Sequence, residues 1–116
     1  MAFGYKSSAN SSSAALGRSA LAASGAAAVG LSSQAVGANS VALGSSTYAG
    51  GGASIAIGTH AAASAQGSVG ANSRYTMAIG AYSSATGTGA TAIGNAYDIN
   101  GDSTLTSNEK PNAAGA

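Results

Sequence analysis

The sequence predicts an all-β fold, a β-solenoid with coils of about fourteen residues, and three observations carry that prediction. Glycine stands at 30, 37, 44, 51 and 58, seven residues apart without a slip. Every second one closes a fuller motif, AAAVG at Gly30, SVALG at Gly44 and SIAIG at Gly58, so the period is fourteen with an echo at seven. A repeat this regular fixes the architecture before any other feature is weighed. Between the glycines, Ser40-Val41-Ala42-Leu43, Ser54-Ile55-Ala56-Ile57 and Thr76-Met77-Ala78-Ile79 alternate with the two-residue period of a strand. Two heptads of a coiled coil would share the period, but glycine at every seventh position disfavours a helix interior by ~1 kcal/mol each relative to alanine.

Short strands, each ended by a glycine able to take positive φ, give two strands and two tight turns per coil. The two faces of these strands differ in size rather than polarity. One carries Val41, Leu43, Ile55, Ile57, Met77 and Ile79, with Ile93 in the same place in TAIG; the other carries Ala42, Ala56 and Ala78. A strand with one wet face would show polar residues at alternate positions. Both faces are therefore expected to be buried, and a single narrow roll has only one inside. The alanines are expected within a flattened roll, and the larger residues against a neighbouring chain.

Composition supports the need for a partner. The chain has 116 residues, enough for one domain, and its 45% hydrophobic content is mostly alanine, with one Phe and no Trp. Alanine faces alone offset poorly the backbone entropy of so many Gly and Ser residues. Oligomerisation is the usual remedy, since the absence of cysteine excludes disulfides. Charged residues make up 6% of the chain and the formal net charge is +1, which leaves no electrostatic footprint for nucleic acid. No apolar run of ~18 residues spans a bilayer, and the opening Met1-Ala2-Phe3-Gly4 begins directly in a repeat, as expected of a segment cut from a longer protein. The first motifs, ending at Gly4, Gly17 and Gly30, lie thirteen residues apart, one short. A Gly/Ser/Ala-rich linker is the alternative there, but Phe3, Leu16 and Val29 keep the motif's last apolar position. Lys6 and Arg18, just after turn glycines, read as solvated turn residues.

SVALG, SIAIG, MAIG and TAIG, separated by GANS, GSSTYAG and GAYSSATG, resemble the head repeats of trimeric autotransporter adhesins of Gram-negative bacteria. The resemblance covers roughly residues 1–97. It implies a left-handed parallel β-roll, with three chains packed side by side as a homotrimer. It also implies a place on the bacterial outer surface, within a larger outer-membrane-anchored protein, and adhesion to host cells, extracellular matrix or other bacteria. The trimer interface is then expected at Val41, Leu43, Ile55, Ile57, Met77, Ile79 and Ile93.

The spacing breaks between Gly58 and Gly80. VGANS at 36–40 recurs at 69–73, but Gly37 to Gly44 is seven residues while Gly70 to Gly80 is ten. That alignment puts three added residues around Arg74-Tyr75-Thr76, as a bulge or protruding turn. Arg and Tyr are enriched in binding hot spots, which makes Arg74 and Tyr75 a candidate ligand contact; a tolerated insertion in a surface turn is the alternative. His60, without an acidic or cysteine neighbour, is neither a metal ligand set nor part of a triad. Tyr5, Tyr48, Tyr82 and Tyr97 lie near turn glycines, as an exposed aromatic line or as cover for turn edges.

After TAIG the chain changes character. Asp98, Asn100, Asp102, the Thr104 carbonyl and Glu109 match positions 1, 3, 5, 7 and 12 of an EF-hand calcium loop, and all three carboxylates of the chain fall in that stretch. Ser103 replaces the usual glycine and no amphipathic helix flanks the loop, so an Asx-turn-rich surface loop is the alternative to a Ca²⁺ site. The chain thus divides into head repeats at 1–97 and an acidic loop with a frayed tail at 98–116. No enzyme is expected, because the single His and the clustered carboxylates offer no partnered base. An adhesin head that binds a matrix protein or cell-surface receptor is the first reading of function. A phage tail-fibre or receptor-binding segment on a virion is the second. An ice-binding solenoid ranks below both, since Thr47, Thr59, Thr76, Thr86 and Thr91 form no ordered array.

Overall fold

The computed structural model describes residues 1–63, 74–85, 87–94 and 112–113. The chain winds as a parallel β-solenoid, alternating between two seven-stranded sheets. The first sheet stacks β1 (Ala2–Phe3), β3 (Ala14–Leu16), β5 (Ala27–Val29), β7 (Val41–Leu43), β9 (Ile55–Ile57), β11 (Met77–Ile79) and β13 (Thr91–Ile93). The second stacks β2 (Ser8–Ala9), β4 (Leu21–Ala22), β6 (Gln34–Ala35), β8 (Tyr48–Ala49), β10 (Ala62–Ala63), β12 (Ser84–Ala85) and β14 (Asn112–Ala113). No helix occurs among the described residues.

The alternation seen in the sequence becomes an inside and an outside. Ala15, Ala28, Ala42, Ala56 and Ala78 of the first sheet face Ala22, Ala35, Ala49, Ala63 and Ala85 of the second, all at 0% exposure. The register stacks like on like: Ala42 pairs with Ala28 and Ala56, and Leu43 with Val29 and Ile57. An interior lined by methyl groups keeps the two sheets close. It also accounts for the serine or threonine that precedes so many strands. Ser33, Ser40, Thr47, Ser54 and Ser83 are buried at the rim of the core. Each hydroxyl donates to the carbonyl three residues back, as Ser40 Oγ does to Gly37 O and Ser54 Oγ to Gly51 O, both at 2.6 Å. A buried hydroxyl without such a partner would cost ~1–3 kcal/mol.

The seven-residue glycine spacing is explained by two turns per coil. Gly30, Gly44 and Gly58 stand at one edge of the roll with φ of 131°, 128° and 123°, a region that L side chains rarely adopt. Gly37 and Gly51 stand at the opposite edge, where a Cβ on Gly37 would collide with the Gly51 carbonyl. The two edges differ in constancy. From first sheet to second, the alanine step is seven residues in each of the pairs Ala15–Ala22, Ala42–Ala49 and Ala78–Ala85. From second to first it is six for Ala22–Ala28 and seven for Ala35–Ala42, so the short early coils lose their residue at the second edge.

Two sequence expectations about irregular stretches are corrected. Arg74 and Tyr75 do not form an extra bulge: Arg74 bridges to Gly52, and the Tyr75 N–H donates to the Gly52 carbonyl at 3.1 Å. Tyr75 has φ 62°, matching Ala53 at φ 53° one coil before, so it occupies the regular turn position. Two residues separate Ala49 from Gly52, while ten separate Ala63 from Arg74. The excess is eight residues, and it falls within 64–73, outside the described residues. VGANS at 69–73 misled the alignment because it copies the motif while lying inside the inserted stretch. The second correction concerns the tail. Asn112–Ala113 pairs in register with Ser84–Ala85, so a strand of the second sheet stands where fraying was expected. From Ala92 to Ala113 is twenty-one residues against seven from Ala78 to Ala85, which leaves fourteen extra between β13 and β14.

Candidate adhesive surfaces

The outer face of the first sheet is an apolar ladder. In-register pairing aligns Phe3, Leu16, Val29, Leu43, Ile57, Ile79 and Ile93 in one column. A second column runs Ala14, Ala27, Val41, Ile55, Met77 and Thr91. Seven strands at ~4.8 Å spacing make a face of about 29 Å without a charged side chain in it. Of the interface residues predicted from sequence, Val41, Leu43, Ile55, Ile57, Met77 and Ile79 are half-buried and Ile93 is exposed. All seven lie on this one face. The interface prediction had omitted Phe3, Leu16 and Val29, which extend the same column and remain exposed. Their motif position was the signal that could have included them. A contiguous apolar face of this kind marks an interaction site.

The first turn edge carries most of the described cations and two tyrosines. Lys6 Nζ sits 5.4 Å from the Tyr5 ring centroid. His60 and Tyr82 stack face to face, with centroids 4.9 Å apart and planes within 1°. Both are turn residues in the left-handed region, at φ 57° and 60°, and they occupy the same place, two residues after Gly58 and Gly80, in successive turns of this edge. The stack joins the coil before the eight-residue excess to the coil after it, from the opposite edge. Thus His60 is a turn residue with an aromatic partner. Arg74 and Tyr75 are both exposed on the second edge, beside Gly52.

The tyrosines do not form one line. Tyr5 and Tyr82 belong to the first edge, Tyr48 lies within β8 of the second sheet, and Tyr97 is outside the described residues. The calcium-type residues Asp98, Asn100, Asp102, Thr104 and Glu109 are likewise outside the described residues. Among the described residues no group of three or more His, Cys, Asp or Glu is placed to hold a metal ion.

Comparison with known proteins adds one match. The family model for the YadA head domain repeat matches the chain twice, over residues 23–47 and 71–96. The first copy takes in β5, β6 and β7, and the second takes in β11, β12 and β13. Each copy therefore covers a strand of the first sheet, the following strand of the second, and the next strand of the first. No curated protein matches the chain.

Proposed function

We propose, from the premise that this chain is a head domain of the trimeric autotransporter adhesin type built from YadA head repeats, that it works as an attachment surface in trimeric form. The observation that carries the reading is the apolar ladder on the outer face of the first sheet, in a roll whose own core is alanine. Three such faces turned toward a common axis remove one another from water. Covering Leu43, Ile57 and Ile79 completely would stabilise each chain by ~25 cal/mol for every Å² of apolar surface withdrawn. The turn edges and the second sheet are left for ligands. In this reading the head stands on the bacterial surface as part of a longer anchored protein, and it meets host cells, matrix proteins or neighbouring bacteria.

Arg74 and Tyr75 are the proposed protein-ligand contact on the second edge, next to the eight-residue excess. The acidic loop is proposed to hold one Ca²⁺ through Asp98, Asn100, Asp102, Thr104 and Glu109. Its twelve residues fit within the fourteen extra residues between β13 and β14. The attachment reading is tested by displaying the chain on an inert bacterium and counting cells bound to cultured epithelium and to immobilised matrix proteins. Display should raise attachment, and Arg74→Ala with Tyr75→Ala should lower it without changing the circular dichroism spectrum. Display that adds nothing to attachment on any of these surfaces contradicts the reading.

A further inference from the structure

We infer that the outer face of the second sheet holds a saccharide-binding platform centred on Tyr48, and that its ligand is a neutral pyranoside. Tyr48 sits on β8, with Ala49 beside it turned into the core, so alternation points the phenol ring outward. The ring does not stand off the surface. A Cβ built on Gly50 would lie 2.5 Å from Tyr48 Cε1 and 2.9 Å from both Cζ and the hydroxyl oxygen. The ring therefore lies along its own strand, in a seat that exists because residue 50 has no side chain. Its exposure, 37% against 67% for Tyr75 and 69% for Tyr5, is that of a ring partly covered by the sheet and partly open to solvent.

The surroundings select the ligand. Gln34 is in register with Tyr48 on one neighbouring strand and Ala62 on the other. Gln34 is exposed, and its carboxamide can both donate and accept at the rim of the ring. Val36 is exposed on the Gly50 side. No described strand of this sheet carries a charged residue, and Arg74, the nearest described cation, stands beyond the strands at the second edge beside Gly52, so the ring itself has no counter-charge within its sheet. An extended peptide is disfavoured too, because β8 is already paired with β6 and β10 and offers no free backbone edge. A pyranose suits the site. One of its faces presents C–H groups to the electron-rich face of an aromatic ring, while its hydroxyls reach a neighbouring amide.

This inference rests on the attachment reading for its setting and deepens it by naming a ligand class. The second sheet's outer face lies across the alanine core from the apolar ladder, so trimer packing through the first sheet leaves it open. Three platforms per trimer would turn weak single-site binding into useful avidity.

The test is saturation-transfer NMR on the purified chain with lactose, cellobiose and N,N′-diacetylchitobiose, and with 3′-sialyllactose and a heparin disaccharide as charged probes. At least one neutral disaccharide should receive saturation. Tyr48→Ala should weaken its binding about tenfold, as for an aromatic anchor, and Tyr48→Phe should retain it. Gly50→Ala is the sharper variant. Its backbone lies outside the left-handed region, so alanine is tolerated while the ring is lifted from its seat. It should weaken binding with an unchanged circular dichroism spectrum. No binding of any neutral probe, preference for a charged one, or wild-type affinity in Tyr48→Ala or Gly50→Ala overturns the inference. Cell attachment that persists without saccharide binding removes the ligand class alone, whereas absent attachment by the wild-type chain removes the broader reading.

Discussion

Replacing Gly44 with alanine puts the packing of the turn edge to a quantitative test. Gly44 has φ 128°, and a Cβ there would fall 2.7 Å from the Gly58 carbonyl oxygen and 2.9 Å from its carbon. That carbonyl cannot swing away cheaply, because it accepts the Ala61 N–H at 3.4 Å across the turn, and the Gly58 N–H on its other side is bonded to Leu43 O at 2.9 Å. Two terms add: backbone strain of ~1–3 kcal/mol, and overlap against fixed backbone, comparable to overpacking at ~1–3 kcal/mol. Gly89 provides the control. Its φ is 72° and a Cβ there meets nothing within 4 Å, so Gly89→Ala carries only the left-handed penalty of ~1–2 kcal/mol. Alanine already occupies such a turn position at Ala53, with φ 53°. Gly44→Ala should therefore be less stable than Gly89→Ala by roughly 2 kcal/mol, a Tm gap of ~8 °C or more for a domain near this size. Thermal unfolding by circular dichroism at one fixed protein concentration measures it. Equal melting of the two variants would refute a turn edge built on glycine stacked against glycine.

Two substitutions and one ion titration extend the test. Ala56→Val adds two methyl groups to a core position at 0% exposure between Ala42 and Ala78; overpacking should cost ~1–3 kcal/mol and lower the melting point, and a melting point at or above wild type would contradict an alanine-only interior. Tyr82→Ala removes the His60 stack and should destabilise the roll by ~0.5–1.5 kcal/mol in denaturant titration, with no change counting against the stack as a clamp between the two coils. If the proposed site at 98–109 holds calcium, the ion at a hundredfold above Kd should stabilise the chain by about 2.7 kcal/mol, and by ~1 kcal/mol at extracellular levels. Chelation should leave the glycine-spaced coils intact, while calorimetry without a binding signal at millimolar calcium would eliminate the site.

The fold was legible because the repeat writes the same local physics many times over. SVALG and SIAIG carry their meaning without tertiary context: Ser40 and Ser54 close a turn, Ala42 and Ala56 face in, and Val41, Leu43, Ile55 and Ile57 face out. Irregular stretches were less legible, because register is a property of pairing between strands. The copy of VGANS at 69–73 suggested an excess around Arg74, yet the bridge from Arg74 to Gly52 moves that excess upstream. Asn112–Ala113 looked like tail composition, and only its pairing with Ser84–Ala85 reveals a strand. The seat of Tyr48 depends on a glycine two residues on, and nothing in the repeat distinguished Gly50 from a spacer. His60 and Tyr82, twenty-two residues apart in sequence, meet because turn positions stack coil over coil.

The alanine-cored roll is proposed to complete its burial by trimerising through the first sheet's outer face. Analytical ultracentrifugation of the wild-type chain and of the variants Leu43→Asp and Ile57→Asp, at micromolar concentration, reads that assembly. The wild-type particle should have three times the 10.7 kDa chain mass. Both variants, which set three carboxylates beside one another at the axis, should lose the trimer and the β-sheet signal together. A wild-type chain that sediments as a folded monomer, or aspartate variants that remain folded trimers, would contradict it.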